Sequence, residues 1–461
     1  MDTRPYDLVV LGSGPAGEKG AAQAAFFGKR VALVEKQPAY GGAACNTGTL
    51  PSKTLRETAL VLSGFRSRKL HGVDLSLRRA ASVADLMHHE QQVTGCEQDR
   101  IRSNLDRHGV DVFHGAGRFV DRHVVQVEGG PTLEADVLLV ATGSSPRRPA
   151  MYPFADDRVW DSDQILNLTF IPKHMVVIGA GVIGAEYAST FAALGTEVLL
   201  IDGRDDFLGF LDDEMSARLR AGMEALGVTF VQPRDVVACD AGDRLTVTLD
   251  DGRVVETEAV LVAAGRISNV GDLNLSAADV EVDDRGRILV NPWYQTSAPH
   301  IYAAGDVIGF PALASTSMEQ ARVAMVHAFD LGYKQALAPV LPFGIYTIPE
   351  TSMAGASEED LKRDGVDYVV GRARYDQNPR GTIIGDDGLL KLIFRRDDMR
   401  LLGVHVLGES ASELVHVGLM GLLTEATGEL FIRACFNYPT LGDLFKYATY
   451  DAMGQRSRGS S

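Results

Sequence analysis

Two separate stretches of this chain are written in the same grammar, and that repetition narrows the possible folds more than any other feature. Tyr6–Leu11 is a short apolar strand pattern that runs into Gly12-Ser13-Gly14-Pro15-Ala16-Gly17 and an alanine-rich helical stretch. A second strand, Arg30–Val34, then ends at Glu35. Further on, Met175–Ile178 leads to Gly179-Ala180-Gly181-Val182-Ile183-Gly184, a helical stretch, and Glu197–Ile201, which ends at Asp202. In such a turn the first glycine permits the tight bend and the second lets the backbone approach a pyrophosphate. The third lets the helix pack closely on the strand, with its N-terminus facing the anion. One such turn is weak evidence. Two, each following a strand, opening a helix and preceding an acidic strand end about 20 residues on, predict two Rossmann-like dinucleotide-binding domains in an α/β chain.

The acidic strand ends suggest the nucleotides. Glu35 is placed to accept hydrogen bonds from an adenosine ribose, which suits FAD in the first unit. Asp202 plays the equivalent part in the second and by itself favours NAD, because a carboxylate repels a 2′-phosphate. Arg204, two positions on, is either the cation that admits NADP or a solvated charge beside Asp205 and Asp206. Nicotinamide preference stays open on these residues.

Composition narrows the partners. A chain of 461 residues has room for several domains around a large core. Its formal charge of -16 argues against nucleic acid or an anionic membrane as the main partner, since both demand a basic face. The four cysteines, Cys45, Cys96, Cys239 and Cys435, lie far apart with no CxxC pair. Neither a zinc site nor a secreted disulfide framework is expected, and the usage suits a reducing cytoplasm. Leu8–Leu11 has no signal-peptide order, and Met175–Ala185 is interrupted by glycine and meets Glu186, so no membrane span is expected.

Boundaries follow from what lies between the repeats. The first domain is expected over residues 1–150, closing with Val137–Val140 and Ala141-Thr142-Gly143 before the proline-rich stretch Pro146–Pro153. The second runs over 151–270. A return segment, 271–341, contains Ala304-Gly305-Asp306 and rejoins the first domain. Residues 342–461 read as a third, α+β unit, with Leu389–Phe394 and Leu402–Leu407 as strands. The tail Gly454–Ser461 is expected to be disordered.

Gly41-Gly42-Ala43-Ala44-Cys45-Asn46-Thr47-Gly48-Thr49-Leu50-Pro51-Ser52-Lys53 resembles the GGTCLNVGCIPSK signature of the flavoprotein disulfide reductases, also called class I pyridine nucleotide-disulfide oxidoreductases. The resemblance extends to Ala141-Thr142-Gly143-Ser144, to Ala264-Gly265-Arg266, and to Gln295–Ser297 with Ile301–Val307. It continues through Tyr346–Glu350 and Gly408–Glu413. It implies FAD held by Gly12, Gly14, Gly17, Glu35, Thr142, Gly143 and Asp306. It likewise implies a nicotinamide nucleotide held by Gly179, Gly181, Gly184, Asp202, Arg204 and Gly265. Lys53 is implied near flavin N5, paired with Glu186. A cation there stabilises reduced, anionic flavin, and the carboxylate keeps it charged and oriented. The third unit becomes a dimerisation domain, giving a homodimer or higher homo-oligomer.

The chain departs from the family where disulfide chemistry would sit. The two signature cysteines are replaced by Ala44 and Thr49, while Cys45 lies one place late. The C-terminal HPTLSE pattern becomes Tyr438-Pro439-Thr440-Leu441-Gly442-Asp443, so Tyr438 and Asp443 replace the acid/base pair. A tyrosine of ordinary pKa is a poor thiol base at neutral pH. Gly48–Lys53, Phe436–Thr440, Phe210-Leu211-Asp212 and Glu214-Met215-Ser216 are similar instead to the soluble pyridine nucleotide transhydrogenase branch, although that branch often keeps the first cysteine. That similarity implies hydride exchange between NAD(H) and NADP(H) through FAD by a ping-pong route. Lys53, Glu186, Thr49, Tyr438 and Asp443 are then the residues placed at the reaction. The alternatives are an NAD(P)H-dependent quinone or dye reductase and a nucleotide-sensing or structural flavoprotein without turnover. Cys45 is expected to be a small buried side chain, His88-His89-Glu90 a solvated helix face rather than a metal site, and His405 and His416 packing residues.

Overall fold

The computed structural model describes residues 3–63 and 82–458. The first unit is built from β1 (Thr3–Leu11), α1 (Pro15–Phe26), β2 (Val31–Glu35), α2 (Gly42–Asn46), α3 (Thr49–Leu62), α4 (Val83–Arg107), β3 (Asp111–His114), β4 (Gly117–Asp121), β5 (Val124–Val127) and β6 (Thr132–Val140). Its sheet runs β3-β2-β1-β6-β5-β4. The run Leu8–Leu11 is buried along its whole length because both faces of this parallel core are covered. Each such side chain contributes about 1.5–3 kcal/mol on burial. One face packs on helical residues Ala21, Ile101, Leu105 and Met325, the other on the β4–β5 hairpin and residues Leu273–Ala298.

The chain then passes through β7 (Ser144–Pro146) into the second unit. That unit comprises β8 (Val159–Asp161), β9 (His174–Ile178), α5 (Val182–Ala193), β10 (Glu197–Ile201), α6 (Asp213–Ala225), β11 (Val228–Val231), β12 (Val236–Ala241), β13 (Leu245–Leu249), β14 (Val254–Thr257) and β15 (Ala259–Val262). Strands β11-β10-β9-β15-β8 form a wholly parallel sheet, and β12-β13-β14 an antiparallel meander beside it. The chain returns through β16 (Arg266–Ser268), which pairs antiparallel with β7, so the outgoing and incoming strands hydrogen-bond to each other.

Strand β17 (Ile301–Ala303) rejoins the first sheet, parallel to the C-terminal half of β6. The N-terminal half of β6 pairs antiparallel with β5. Helix α7 (Ala314–Ala328) follows and packs on α1. The C-terminal unit comprises β18 (Phe343–Ile345), β19 (Thr351–Gly355), α8 (Glu358–Arg363), β20 (Tyr368–Arg374), α9 (Pro379–Ile384), β21 (Leu389–Arg395), β22 (Leu401–Leu407), α10 (Ala411–Leu423), α11 (Gly428–Arg433) and α12 (Leu444–Arg458). Its antiparallel sheet, β18-β19-β22-β21-β20, carries α12 over β20 and β21 and α10 over β19 and β22.

The C-terminal tail departs from expectation. Residues 454–458 continue α12 and are not a disordered tail. Phe445, Ala448, Thr449 and Ala452 are buried against the sheet and carry the helix past Gly454, overriding that residue's poor helix propensity. Residues 459–461 lie outside the described residues.

Candidate functional site

Both glycine turns have the geometry their spacing predicts. Gly12 and Gly179 bend with φ of 100° and 99°, and a Cβ on either would lie 2.5 Å from a carbonyl oxygen, of Ala141 and Ala263 respectively. At Gly17 and Gly184 a Cβ would fall 1.8 and 1.9 Å from the carbonyls of Gly12 and Gly179, so only glycine lets helix and turn close together. Gly14 and Gly181 cap α1 and α5, and no side chain caps either helix. Their first-turn N–H groups therefore face outward as an anion cradle.

Glu35 ends β2 buried. Its Oε2 accepts from the Ser13 backbone N–H (2.8 Å) and hydroxyl (2.6 Å), and its Oε1 accepts from Gln37 N–H (2.8 Å). The Ser13 hydroxyl in turn accepts from Gly41 N–H (3.0 Å), tying this carboxylate to the segment that leads into α2 and α3. Asp202 repeats the arrangement at the end of β10. It accepts from Ala180 N–H (2.7 Å) and Arg204 N–H (2.8 Å), and from the Arg204 guanidinium at 3.1 and 3.0 Å. Burial alone would raise the Asp202 pKa, but the bonds from Arg204 and Ala180 outweigh it and hold the carboxyl below its ordinary value.

Three units converge at Lys53. Its Nζ lies 2.6 Å from Glu186 Oε2, joining α3 to α5, and 4.9 Å from the centre of the Tyr346 ring just beyond β18. The other Glu186 oxygen accepts from Tyr346 N–H (2.9 Å), so the carboxylate fixes both the cation and the strand beyond it. Arg56, one helical turn from Lys53, braces the same seam by donating to Thr347 O (3.1 Å) and pairing with Glu350 (3.2 Å). Glu350 also accepts from Ser412 N–H and hydroxyl. Ser13, Tyr346 and Arg56 were not singled out in the sequence. Ser13 had a signal, being the hydroxyl inside the glycine turn, and Tyr346 opens the Tyr346–Glu350 segment of the family resemblance; the contacts of Tyr346 and Arg56 become visible only once the units are docked.

The segments around the first crevice are pinned at the crossing between the units. Thr142 donates to Asn269 O (2.8 Å), and Gly143 takes a φ of 67° and accepts from Asn269 N–H (2.9 Å). Asp306 Oδ2 accepts from the Ser144 hydroxyl (2.8 Å), which also receives Arg266 Nε (2.8 Å). Gly265, with φ of 95°, turns the chain from β15 into β16.

Other expected site residues stand apart within one chain. Thr49 is exposed at the first position of α3. Tyr438 is 76 % exposed, Asp443 sits in a short 3-10 turn before α12, and neither bonds to Lys53 or Glu186. Cys45 is buried in the first core; burial pushes its thiol up to about 11, leaving it a protonated packing residue. All four cysteines are free. His88 and His89 are exposed on α4 while Glu90 points inward to Thr94, and no metal-binding cluster occurs among the described residues. His405 is buried on β22 with Nε2 on Ala356 O (3.0 Å), whereas His416 is exposed on α10. Among the described residues no helix is long and apolar enough to cross a membrane.

Comparison with known proteins agrees with this anatomy. Residues 6–328 match the pyridine nucleotide-disulphide oxidoreductase family, and residues 341–449 match the dimerisation domain of that family. The chain is 46 % identical over 459 residues to a soluble pyridine nucleotide transhydrogenase of Mycobacterium bovis, covering 98 % of each chain. It is 37 % identical over 460 residues to one of Yersinia enterocolitica, again covering 98 % of each. Among solved structures it resembles a HOCl-induced flavoprotein disulfide reductase of Escherichia coli, with a TM-score of 0.87 at 25 % identity over 95 % of this chain and 99 % of that one. It also resembles LpdA of Mycobacterium tuberculosis, with a TM-score of 0.88 at 26 % identity over 97 % and 99 %.

Proposed function

The chain belongs to the pyridine nucleotide-disulphide oxidoreductase family, and on that premise we propose that it is an FAD-dependent NAD(P)+ transhydrogenase working without a redox disulfide. The family uses FAD, and the first crevice fits it: an uncapped helix N-terminus for the pyrophosphate and a buried Glu35 with one acceptor position free for the ribose. Gly12, Gly14, Gly17, Glu35, Thr142, Gly143 and Asp306 would hold the flavin nucleotide, and Lys53 would lie at its ring. Bound there, the flavin supplies a hydride acceptor and donor at N5 that serves one nicotinamide and then another, a ping-pong exchange. The residues of this chain do the positioning. Gly179, Gly181, Gly184, Asp202 and Gly265 seat the nicotinamide nucleotide, and the Glu186-held cation stabilises negative charge on the reduced ring system.

The observation that carries the reading is the absence of any thiol at Ala44 and Thr49 beside an intact Lys53–Glu186 pair. Hydride chemistry has its electrostatic partner, and disulfide chemistry has lost both its sulfurs and, at Tyr438, its base. The 46 % identity to a soluble pyridine nucleotide transhydrogenase supports the same reading. We further propose a cytoplasmic homodimer. Val417, Met420, Leu423, Leu430 and Tyr438 are exposed apolar or aromatic side chains of the C-terminal unit, and in such a dimer Tyr438 and Asp443 would reach the flavin pocket of the second subunit.

The test mixes purified flavoprotein anaerobically with NADPH and thio-NAD+ and follows thio-NADH. Rapid, saturable transfer far exceeding quinone reduction is expected. Bleaching of the flavin with hydride passing only to quinones or dyes would assign a quinone reductase instead. No bleaching would leave the nucleotide-sensing or structural reading.

A further inference from the structure

A carboxylate offers about four lone-pair positions. At Glu35 three are used, all by groups of the fixed backbone turn or by Ser13, and one remains open to a ribose hydroxyl. At Asp202 all four are used, and two of them are taken by the guanidinium fork of Arg204, one on each oxygen. A vicinal diol would need those same two positions. As it stands, the second crevice is closed to the ribose that its own turn is shaped to receive.

Burial shows which partner can move. The Asp202 side chain is 8 % exposed and that of Arg204 60 %. The backbone around Arg204 is held: its N–H is bonded to Asp202, its carbonyl accepts from Gln232 Nε2 (3.1 Å), and Gly203 lies against Asp235. Opening therefore requires only rotation of the arginine side chain into solvent, and a largely solvated ion pair opens at little cost. Outside the pair, an incoming 2′-phosphate would meet Asp205 and Asp206, both exposed. The nearby Arg220 and Arg234 are engaged with Glu224 and Asp251. Arg204, whose guanidinium already bonds the carboxylate at the ribose position, is the cation placed to meet it.

We propose that Arg204 is an exchangeable occupant of the adenosine ribose site. Its fork holds the two diol positions on Asp202 when the crevice is empty, leaves to solvent when NAD binds, and swings onto the 2′-phosphate when NADP binds. One side chain thus admits both coenzymes: it taxes NAD by the ion pair lost and offsets the carboxylate repulsion that would exclude NADP. The proposal rests on the reading that both coenzymes use this crevice.

The test titrates FAD-loaded protein with 5′-AMP and with 2′,5′-ADP by calorimetry, for the wild type, Arg204→Ala and Arg204→Lys. Arg204→Ala should weaken 2′,5′-ADP roughly 10–100-fold, the worth of hydrogen bonds to a charged group, and tighten 5′-AMP by up to ~5-fold, the worth of an exposed ion pair. Arg204→Lys should retain part of the 2′,5′-ADP affinity, because a point charge replaces the fork. The opposed signs are the signature. If Arg204→Ala leaves both ligands unchanged, Arg204 is a solvated charge; if it weakens both alike, its role is structural. Either result overturns the proposal. NADPH to thio-NAD+ transfer in the same samples separates the two readings. Opposed shifts without transfer would sink the transhydrogenase and keep the exchange, and transfer without opposed shifts would do the reverse.

Discussion

The two glycine turns of this molecule bend alike to within a degree at their first glycine, yet they treat their acidic partner differently. In the first, Ser13 supplies a hydroxyl that bonds Glu35 and is itself bonded by Gly41, so the carboxylate is set before any ligand arrives. In the second, Ala180 stands at the matching position and offers only its backbone N–H; the remaining bonds to Asp202 come from the Arg204 backbone N–H and its exposed guanidinium. A preorganised site binds tightly because little ordering remains to be done, which suits a nucleotide that stays. A site held by an exposed side chain gives up affinity for exchange, which suits nucleotides that must leave at every turnover. On the proposed assignment, the same backbone would be tuned for retention or release by one hydroxyl and one guanidinium.

The sharpest way to break this division is to close each crevice in turn. Gly17→Ala and Gly184→Ala both force a Cβ into a carbonyl, at 1.8 and 1.9 Å. Overpacking of this kind costs about 2–3 kcal/mol or more, roughly 100-fold in binding. Gly17→Ala should be isolated colourless, and Gly184→Ala should be yellow but bleach only at far higher NADPH; equal flavin content after desalting would refute the assignment. Next in size, Glu186→Gln should keep the flavin and slow anaerobic transfer roughly 100-fold, as loss of one preorganised electrostatic group does. Lys53→Met combined with it should be little worse, since the pair acts as a unit. Ser13→Ala removes the hydroxyl's bond to the Glu35 carboxylate and the one it accepts from Gly41 N–H, and should weaken flavin binding roughly 10-fold, read from flavin released on dilution, with no change in 5′-AMP binding.

A smaller effect sharpens the second crevice. The bonds from Arg204 hold the Asp202 pKa low against burial, so its ionised form contributes stability that is present above the unfolded-state pKa and lost only as pH falls through the lower folded value. In Arg204→Ala burial is less opposed, and the acid limb of 5′-AMP binding should move to higher pH. Smallest of all is the thiol effect. Cys96 and Cys435 are exposed, while burial pushes Cys45 and Cys239 each up to about 11. A thiol reagent at neutral pH should label Cys96 and Cys435 alone and leave transfer unchanged. Loss of activity on labelling that tracks Cys45 would restore a redox thiol to this chain.

The sequence pattern carries the turns, the acidic strand ends and the Lys53–Glu186 pair because each depends on local spacing within one strand–turn–helix unit. What it does not carry depends on how units dock. Tyr346 meets Lys53 only after the C-terminal sheet packs on α3 and α5. Lys391 interrupts the apolar run Leu389–Phe394, and its reason lies across an interface: it is buried with Asp212 (2.7 Å) at the start of α6 and Glu358 (2.5 Å) on α8, where burial is outweighed by paired carboxylates. A lysine inside a strand of that kind is a signal that a partner exists, though not of which residue it is. The helix through residues 454–458 was hidden for the same reason, since its support comes from β20 and β21 and not from its own composition.

The antiparallel pair β7–β16 has a consequence for how the molecule is made. The strand that completes the first sheet, β17, leaves the ribosome about 160 residues after β6, roughly 10–30 s later at ordinary synthesis rates. Through that interval the first crevice lacks a strand, α7 and Asp306, while the second nucleotide unit, whose sheet is contiguous from Val159 to Val262, is synthesised and has all its strands before β17 emerges. On the proposed assignment, the nascent chain would complete its nicotinamide crevice before its flavin crevice.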